Sequence, residues 1–167
     1  PEYLRKDGII NALNNIGFFT APASSKFHGN YEGGLFDHSA RVTEELLKYT
    51  ENLELKWWRY ESPYIIGMFH DLCKCDLYTE EPMHEFDAFI NPYKINKEDS
   101  FPGHGEKSIM VLSQITSLTE EEVYCIRYHM GAYNTDEWNY FDRAIGKYPN
   151  VLWTHTADMC ASKIFNT

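Results

Sequence analysis

The sequence predicts an all-α protein, a bundle of about six to eight helices with one long loop at residues 76–102. Apolar residues recur at helical spacing along most of the chain, helix-start signals precede several of these segments, and no strand-like alternation persists. The 167 residues, of which 43% are hydrophobic, suffice for one domain with a sizeable core. We therefore expect a single domain over residues 1–167. Because the chain begins with Pro1 and not Met, a flanking segment before it could be missing.

The helical segments follow one another in a clear order. The first covers residues 3–16 and is stopped by Gly17, and a loop over 18–34 leads to a second helix at 35–49. Ser62-Pro63 combines a cap residue with proline at the first helical position, which predicts a helix from Pro63 to about Cys73. The remaining segments are 103–115, a helix from the Thr119–Glu122 capping box to Met130, a short helix at 136–145, and 151–165.

Residues 76–102 are predicted to form a long ordered loop with room for short elements. They show no sustained period and contain Pro82, Pro92 and Pro102. A structureless segment of this length usually has a function, such as covering a site. Aromatic residues in this loop and after residue 132 could stack on a nucleobase, and they are Phe86, Phe89, Tyr93, Tyr133, Trp138 and Tyr140.

Six residues have the character of metal ligands. A mixed set of imidazoles and carboxylates suits a divalent ion such as Mn²⁺, Fe²⁺, Co²⁺, Ni²⁺ or Zn²⁺. A single histidine on an apolar stripe is more often a core residue than a ligand, so the six are informative only as a set. Six ligands exceed what one ion normally needs, which favours two ions. The residues are His38, His70, Asp71, His104, His129 and Asp158.

The predicted helices turn most of these residues toward a common interior. Asp158 lies on a stripe that is otherwise apolar or small, where an ionised carboxylate is costly unless it is paired or bound to metal. His38, His70 and His129 take similar positions on three other helices, an arrangement typical of a metal site in a helical core. Neighbouring helical residues point about 100° apart, so His70 and Asp71 could straddle a pair of metals that the carboxylate bridges.

Five ordered motifs resemble those of the HD-domain metal-dependent phosphohydrolase superfamily. They are residues 33–39 (GGLFDHS), 70–74 (HDLCK), 103–108 (GHGEKS), 126–130 (IRYHM) and 157–159 (ADM), and together they span most of the chain. The stretch from Ala21 through His28 to His38 is also similar to the HD domain of bacterial 3′–5′ exoribonucleases. The resemblance implies an HD-domain helical bundle.

The resemblance also implies a division of the ligands. Lys74 matches the lysine of the family's HDxGK pattern, which lies near the substrate phosphate or the bridging aspartate, although a solvated lysine remains an alternative. Cys73 replaces the glycine of that pattern, so the resemblance does not predict the exact shape of the pocket. The core metal would be held by His38, His70, Asp71 and Asp158, and the second by His104 and His129 with Asp71 as the bridge.

Two further residues are candidates for substrate contacts. The exonuclease-like pattern would place His28 at the rim of the pocket, with an ordinary loop histidine as the alternative. Arg127 lies two residues before His129 and would contact either a phosphate or an acidic neighbour on the surface.

The implied activity is hydrolysis of a phosphoester by a metal-activated water. Asp71 and Lys74 would be the catalytic residues, and the cofactor would be two divalent ions chosen from Mn, Fe, Ni, Co, Zn and Mg. The substrate would be a small phosphorylated molecule such as a nucleotide, with a short single-stranded oligonucleotide also suitable. Two alternatives use similar residues, namely an HD-fold diiron oxygenase and a non-catalytic module that senses a nucleotide.

Composition excludes several other classes. The net charge of −10 argues against broad binding to duplex nucleic acid, which requires clustered Lys and Arg. Charged residues interrupt every apolar stretch, so no membrane-spanning helix is expected. The four cysteines form no CxxC pair, and reduced, buried thiols in a cytoplasmic protein are expected. The oligomeric state is left open.

Overall fold

The fold is taken from a computed structural model that describes residues 6–80, 93–99, 101, 103–132 and 135–167. Within these residues the chain forms seven α-helices, a short 3₁₀ helix, a terminal π-helix and one two-stranded sheet. The α-helices are α1 (Lys6–Asn15), α2 (Gly34–Asn52), α3 (Ser62–Phe69), α4 (His104–Ser113), α5 (Glu120–Arg127), α6 (Thr135–Lys147) and α7 (Asn150–Cys160). The 3₁₀ helix covers Leu72–Cys75, the π-helix Ala161–Phe165, and the strands are β1 (Tyr78–Glu80) and β2 (Tyr93–Ile95).

The all-α prediction is confirmed, and each predicted helix has a counterpart. The main difference lies in the third helix, which ends at Phe69 and not near Cys73. Asp71 leaves helical geometry with φ −112° and ψ 22°, and a 3₁₀ helix continues the chain. The apolar pattern runs through this break because Leu72 and Cys73 are still buried, so periodicity alone did not reveal it.

The predicted loop at 76–102 contains a small antiparallel sheet. Tyr78 pairs with Ile95 and Glu80 with Tyr93. Lys107 of α4 holds this hairpin against the helices, because its ammonium group lies 2.6 Å from Asp76 Oδ1 and 2.9 Å from Asp99 Oδ1. The positions of Pro82, Pro92 and Pro102 lie outside the described residues.

Helix α2 is the centre of the bundle. It packs against α3 on one side and α7 on another, while α5 contacts α3, α4 and α7. The predicted inward face of α2 is confirmed, since Leu35, Val42 and Leu46 are fully buried. They meet Ile66 of α3 and Val151 of α7 in the main core cluster.

Two glycines allow unusually close helix contacts. A Cβ atom at Gly67 of α3 would lie 2.7 Å from the Cα of Thr43 on α2, and one at Gly105 of α4 would lie 2.5 Å from the carbonyl oxygen of Arg127 on α5. Distances this short leave no room for a side chain. The two contacts fix α3 against α2 just before His70, and α4 against α5 just before His129.

A buried ion pair joins the start of α3 to the start of α5. Glu122 has no exposed surface, and its carboxylate accepts hydrogen bonds from Arg59 Nε and Nη2, both at 2.8 Å, and from Ser62 Oγ at 2.8 Å. The same carboxylate completes the predicted capping box by accepting from the Thr119 backbone N–H at 2.8 Å. The cap that the sequence indicates is therefore also a tertiary contact.

Replacing the Glu122 carboxylate should lower the free energy of unfolding and should make that free energy less sensitive to acidic pH. Burial alone raises the pKa of Glu122, but the hydrogen bonds from Arg59, Thr119 and Ser62 outweigh it and hold the pKa below its ordinary value of 4.5. The stabilisation is therefore complete above pH 4.5 and is lost as the pH falls through the lower folded-state pKa. Glu122→Gln should lower the free energy of unfolding by about 1.5–3 kcal/mol at neutral pH.

Urea unfolding at about pH 7 and about pH 4 measures this effect. The difference in the free energy of unfolding between wild type and Glu122→Gln should be smaller at about pH 4. Glu120→Gln, in the same turn but exposed, is the matched control and should change stability far less. An equal difference in the free energy of unfolding at both pH values would contradict the role assigned to the Glu122 carboxylate.

Candidate metal centre

Five of the six predicted ligands meet in the interior of the bundle. His38 of α2, His70 at the end of α3 and His129 after α5 have no exposed surface, Asp71 is 2% exposed and Asp158 of α7 is 7% exposed. Three sets of side chains, one of which adds Cys73 and His104, have donor atoms that all lie within 4.8 Å of one another in each set. The sets are His38–His70–Asp71, His70–His129–Asp158 and Asp71–Cys73–His104.

Three histidines are oriented in the same way by main-chain carbonyl groups. Nδ1 of His38 donates to the carbonyl oxygen of Thr167 at 2.8 Å, that of His70 to Gly67 at 2.9 Å, and that of His129 to Ile126 at 2.7 Å. A carbonyl oxygen only accepts, so Nδ1 carries the proton in each neutral ring. Each Nε2 atom is thereby left unprotonated, with its lone pair directed into the cluster of His38, His70, Asp71, His129 and Asp158. Metal-binding histidines use this arrangement.

The positions of these lone pairs fit a cation. The Nε2 atoms of His38 and His70 lie 3.3 Å apart. Two unprotonated nitrogens at that distance repel each other unless a proton or a cation lies between them. Two imidazoles on one tetrahedral ion, with bonds of about 2.0–2.1 Å, are separated by about 3.3 Å. Nε2 of His129 is also buried and makes no hydrogen bond to any part of the chain that the structure describes.

Asp71 lies between two groups of donors. Its Oδ2 atom faces His38 Nε2 at 3.6 Å and His70 Nε2 at 3.5 Å. Its Oδ1 atom faces His129 Nε2 at 3.3 Å and Cys73 Sγ at 3.9 Å. The carboxylate can therefore contribute one oxygen to each of two neighbouring cation positions.

The local charges keep both carboxylates ionised. Burial raises the pKa of Asp71, but Lys74 and His70 outweigh it and hold that pKa well below its ordinary value. Nε2 of His38 lies 3.2 Å from Asp158 Oδ1, and the proximity of His38 and His70 overcomes the effect of burial and lowers the pKa of Asp158 to about 2. Burial lowers the pKa of His70, which favours the neutral form that binds metal.

Lys74 is buried and not solvated. Its Nζ atom lies 2.7 Å from Asp71 Oδ2, and the residue is 8% exposed. Burial lowers the pKa of Lys74, but Asp71 more than restores it, so the side chain stays positively charged. A fixed cation thus stands at the edge of the cluster.

His104 joins the cluster through Cys73. It begins α4, and its Nδ1 atom lies 3.3 Å from Cys73 Sγ. Burial of the Cys73 thiol raises its pKa. The sequence predicts a buried reduced thiol at Cys73, close to the metals, and does not predict a ligand there. Its donor type was visible in the sequence, but its approach to His104 depends on how the 3₁₀ helix packs against α4.

The two predicted substrate contacts differ in their surroundings. His28 borders the cluster, with its ring centre 5.0 Å from that of His38, and burial followed by the charge of His38 lowers its pKa to about 4. Arg127 points away, and its Nε atom donates to Glu106 Oε1 at 2.6 Å. His155 lies beside the cluster, where its Nδ1 contacts the carbonyl oxygen of His129 at 2.7 Å.

Two cavities reach the cluster from the side of His104. A larger cleft of about 370 Å³ lies between the start of α4 and the end of α5, and its wall includes His104, Glu106 and Arg127. A smaller cavity of about 80 Å³ is lined by Cys73, His104, Asp99 and Lys107 among others. Both cavities border His104, and the smaller one also borders Cys73.

Other predictions have mixed outcomes. All four cysteines are free thiols. No helix in the described part of the chain is long and apolar enough to cross a membrane. Of the aromatic residues considered for base stacking, Trp138 and Tyr140 are exposed, Tyr93 is buried, and Phe86, Phe89 and Tyr133 lie outside the described residues.

Comparisons of the chain with protein-family models, curated proteins and solved structures find no match. The centre is therefore interpreted from its own geometry, and membership of the HD-domain superfamily stays a prediction.

The donor set predicts that divalent metal stabilises the protein through Asp71. An ion at about 100 times its dissociation constant should add about 2.7 kcal/mol, which raises the melting temperature of a chain of this size by roughly 5–10 °C. Asp71→Asn should remove most of this increase because the shared carboxylate is lost. Thermal unfolding with and without Mn²⁺ or Zn²⁺, with elemental analysis of the dialysed protein, measures both effects.

Asp37→Asn is the matched control, since Asp37 is exposed on α2 next to His38 and pairs with Tyr31. It should keep the full metal response. A metal response that is unchanged in Asp71→Asn would rule out the proposed centre.

Proposed function

We propose that this protein is a metal-dependent hydrolase that cleaves a phosphoester of a nucleotide or short oligonucleotide. The observation that carries the proposal is the Asp71 carboxylate, whose Oδ2 atom faces the imidazole of His38 and whose Oδ1 atom faces the imidazole of His129 and the thiol of Cys73. Two metals that share a carboxylate are a common means of phosphoester hydrolysis. The resemblance of the five sequence motifs to HD-domain phosphohydrolases supports the same activity.

The chain would hold the metals with the residues already described. One position would use His38, His70, Asp71 and Asp158, and the other His104 and His129 with Asp71 again. Mn, Fe, Ni, Co, Zn and Mg are the candidate ions. When bound, such ions supply Lewis acidity that activates water and neutralises phosphoryl oxygens. The main-chain carbonyl groups that orient the three histidines keep the donor atoms in place before any ion arrives.

Lys74 would stabilise the transition state of phosphoryl transfer. A buried ammonium next to Asp71 is close to any phosphoryl group that approaches the metals. Phosphoryl transfer spreads negative charge over the equatorial oxygens, and a fixed cation in a water-poor site stabilises that charge strongly. This role favours phosphoester hydrolysis over the alternative of a diiron oxygenase.

The cleft beside His104 suits a small substrate. Its volume of about 370 Å³ falls within the usual range for small-molecule sites. Its wall carries both Arg127 and Glu106, already paired with each other, so it lacks the continuous basic surface that a long nucleic acid needs. His28 would close the opposite rim, near His38. The expected cytoplasmic location agrees with a nucleotide substrate.

Lys74→Ala should lower kcat by about 10²–10³-fold with little loss of bound metal, because a single electrostatic donor to the transition state contributes about that much. The measurement is hydrolysis of a generic phosphodiester and a nucleotide panel with added Mn²⁺, alongside elemental analysis of each variant. Lys48→Ala is the control, since Lys48 pairs with Glu45 on the outer part of α2. It should retain wild-type turnover.

The alternatives predict different results. Oxygen consumption by an iron-loaded protein, without phosphoester turnover, would favour the oxygenase. Tight nucleotide binding with no turnover under any metal would favour the sensing module. Equal kcat in wild type and Lys74→Ala would remove the assigned role of the lysine.

A further inference from the structure

We propose that Cys73 is a ligand of the second metal position, together with His104 and Asp71, and that this position prefers a thiophilic ion such as Zn²⁺ or Co²⁺. The inference rests on the proposed metal centre and adds a donor to it.

The distances fit a metal held by mixed donors. With a metal–sulfur bond of about 2.3 Å and metal–nitrogen or metal–oxygen bonds near 2.0–2.1 Å, donor atoms on a tetrahedral ion lie about 3.5 Å apart. Cys73 Sγ lies 3.3 Å from His104 Nδ1 and 3.9 Å from Asp71 Oδ1. One donor atom from each of Cys73, His104 and Asp71 lies within 4.8 Å of the other two, so the three residues face a common position.

The surroundings hold the thiol in place and leave a path for the ion. The backbone N–H of Cys73 donates to Ser108 Oγ on α4 at 3.1 Å, which locks the 3₁₀ helix against the helix that carries His104. The cavity of about 80 Å³ ends at Cys73 and His104. Lys107 also lines it, but Asp76 and Asp99 neutralise this lysine, so the entrance does not repel a cation.

The two metal positions then differ in chemistry. The first offers only nitrogen and oxygen, which suits Mn²⁺ or Fe²⁺ as well as Zn²⁺, whereas sulfur in the second selects softer ions. When the metal–sulfur bond forms, the S–H proton leaves to solvent and the electron pair on sulfur is donated to the metal.

Titration of the metal-free protein with Co²⁺ tests the inference. Wild type should develop a sulfur-to-cobalt charge-transfer band in the near ultraviolet as the ions bind. Cys73→Ser should lack that band and bind the second equivalent at least about tenfold more weakly, since even changes outside the ligand shell have such effects. Cys75→Ser is the matched control, two residues away on the same 3₁₀ helix, and should keep the band.

X-ray absorption of the zinc-loaded wild type provides a test without any substitution. A sulfur scatterer at about 2.3 Å would support the inference. Cobalt binding without a charge-transfer band, or a zinc shell of nitrogen and oxygen only, would overturn it. Phosphodiester turnover of Cys73→Ser with Mn²⁺ separates the two proposals: if turnover persists while the sulfur signal is missing from wild type, only the sulfur ligand fails.

Discussion

The structure depends on how a carboxylate at Asp71 is kept ionised in the centre of the bundle. A buried charge is costly unless it is paired and hydrogen-bonded. Here the compensation comes from Lys74, three residues along the chain, while imidazoles from α2, the end of α3 and the end of α5 surround the same carboxylate. The helices must therefore pack so that these groups arrive together. An apolar residue at position 71 would remove the carboxylate that neutralises the buried Lys74, so the site and the core are specified jointly.

Main-chain carbonyl groups orient the side chains that surround Asp71. Three histidines direct Nε2 inward because their Nδ1 atoms are tied to carbonyl oxygens, two of them three residues earlier on the same element. The orientation of His70 thus follows from where α3 ends, and α3 itself is fixed by the close contact of Gly67 with Thr43. The contact of Gly105 with Arg127 acts similarly for His104 and His129. Small residues at two helix crossings therefore set distances within the cluster.

Sequence patterns predicted the helices well because each presents one apolar face, and α2 illustrates this from Leu35 to Leu46. They also indicated four inward candidate ligands, since a charged or imidazole group on an apolar stripe stands out. Features that depend on distant packing were harder to predict. The end of α3 at Phe69 was hidden by the continued burial of Leu72, and the pairing of Tyr78 with Ile95 joins segments with no alternating pattern. The short distance between Cys73 and His104 is another feature that depends on packing between distant segments.

The charge balance explains why cations and a small anion suit this centre in an acidic protein. With neutral imidazoles, Asp71 and Asp158 contribute two negative charges and Lys74 one positive charge, which leaves a buried excess of one negative charge. One divalent ion reverses that sign, and a second one repels the first strongly unless negative donors lie between and around them. In the proposed centre Asp71 would supply the charge between the ions, and a thiolate from Cys73 would supply more at the second position. The filled centre would then be positive and would attract a phosphate group despite the net charge of −10 on the whole chain.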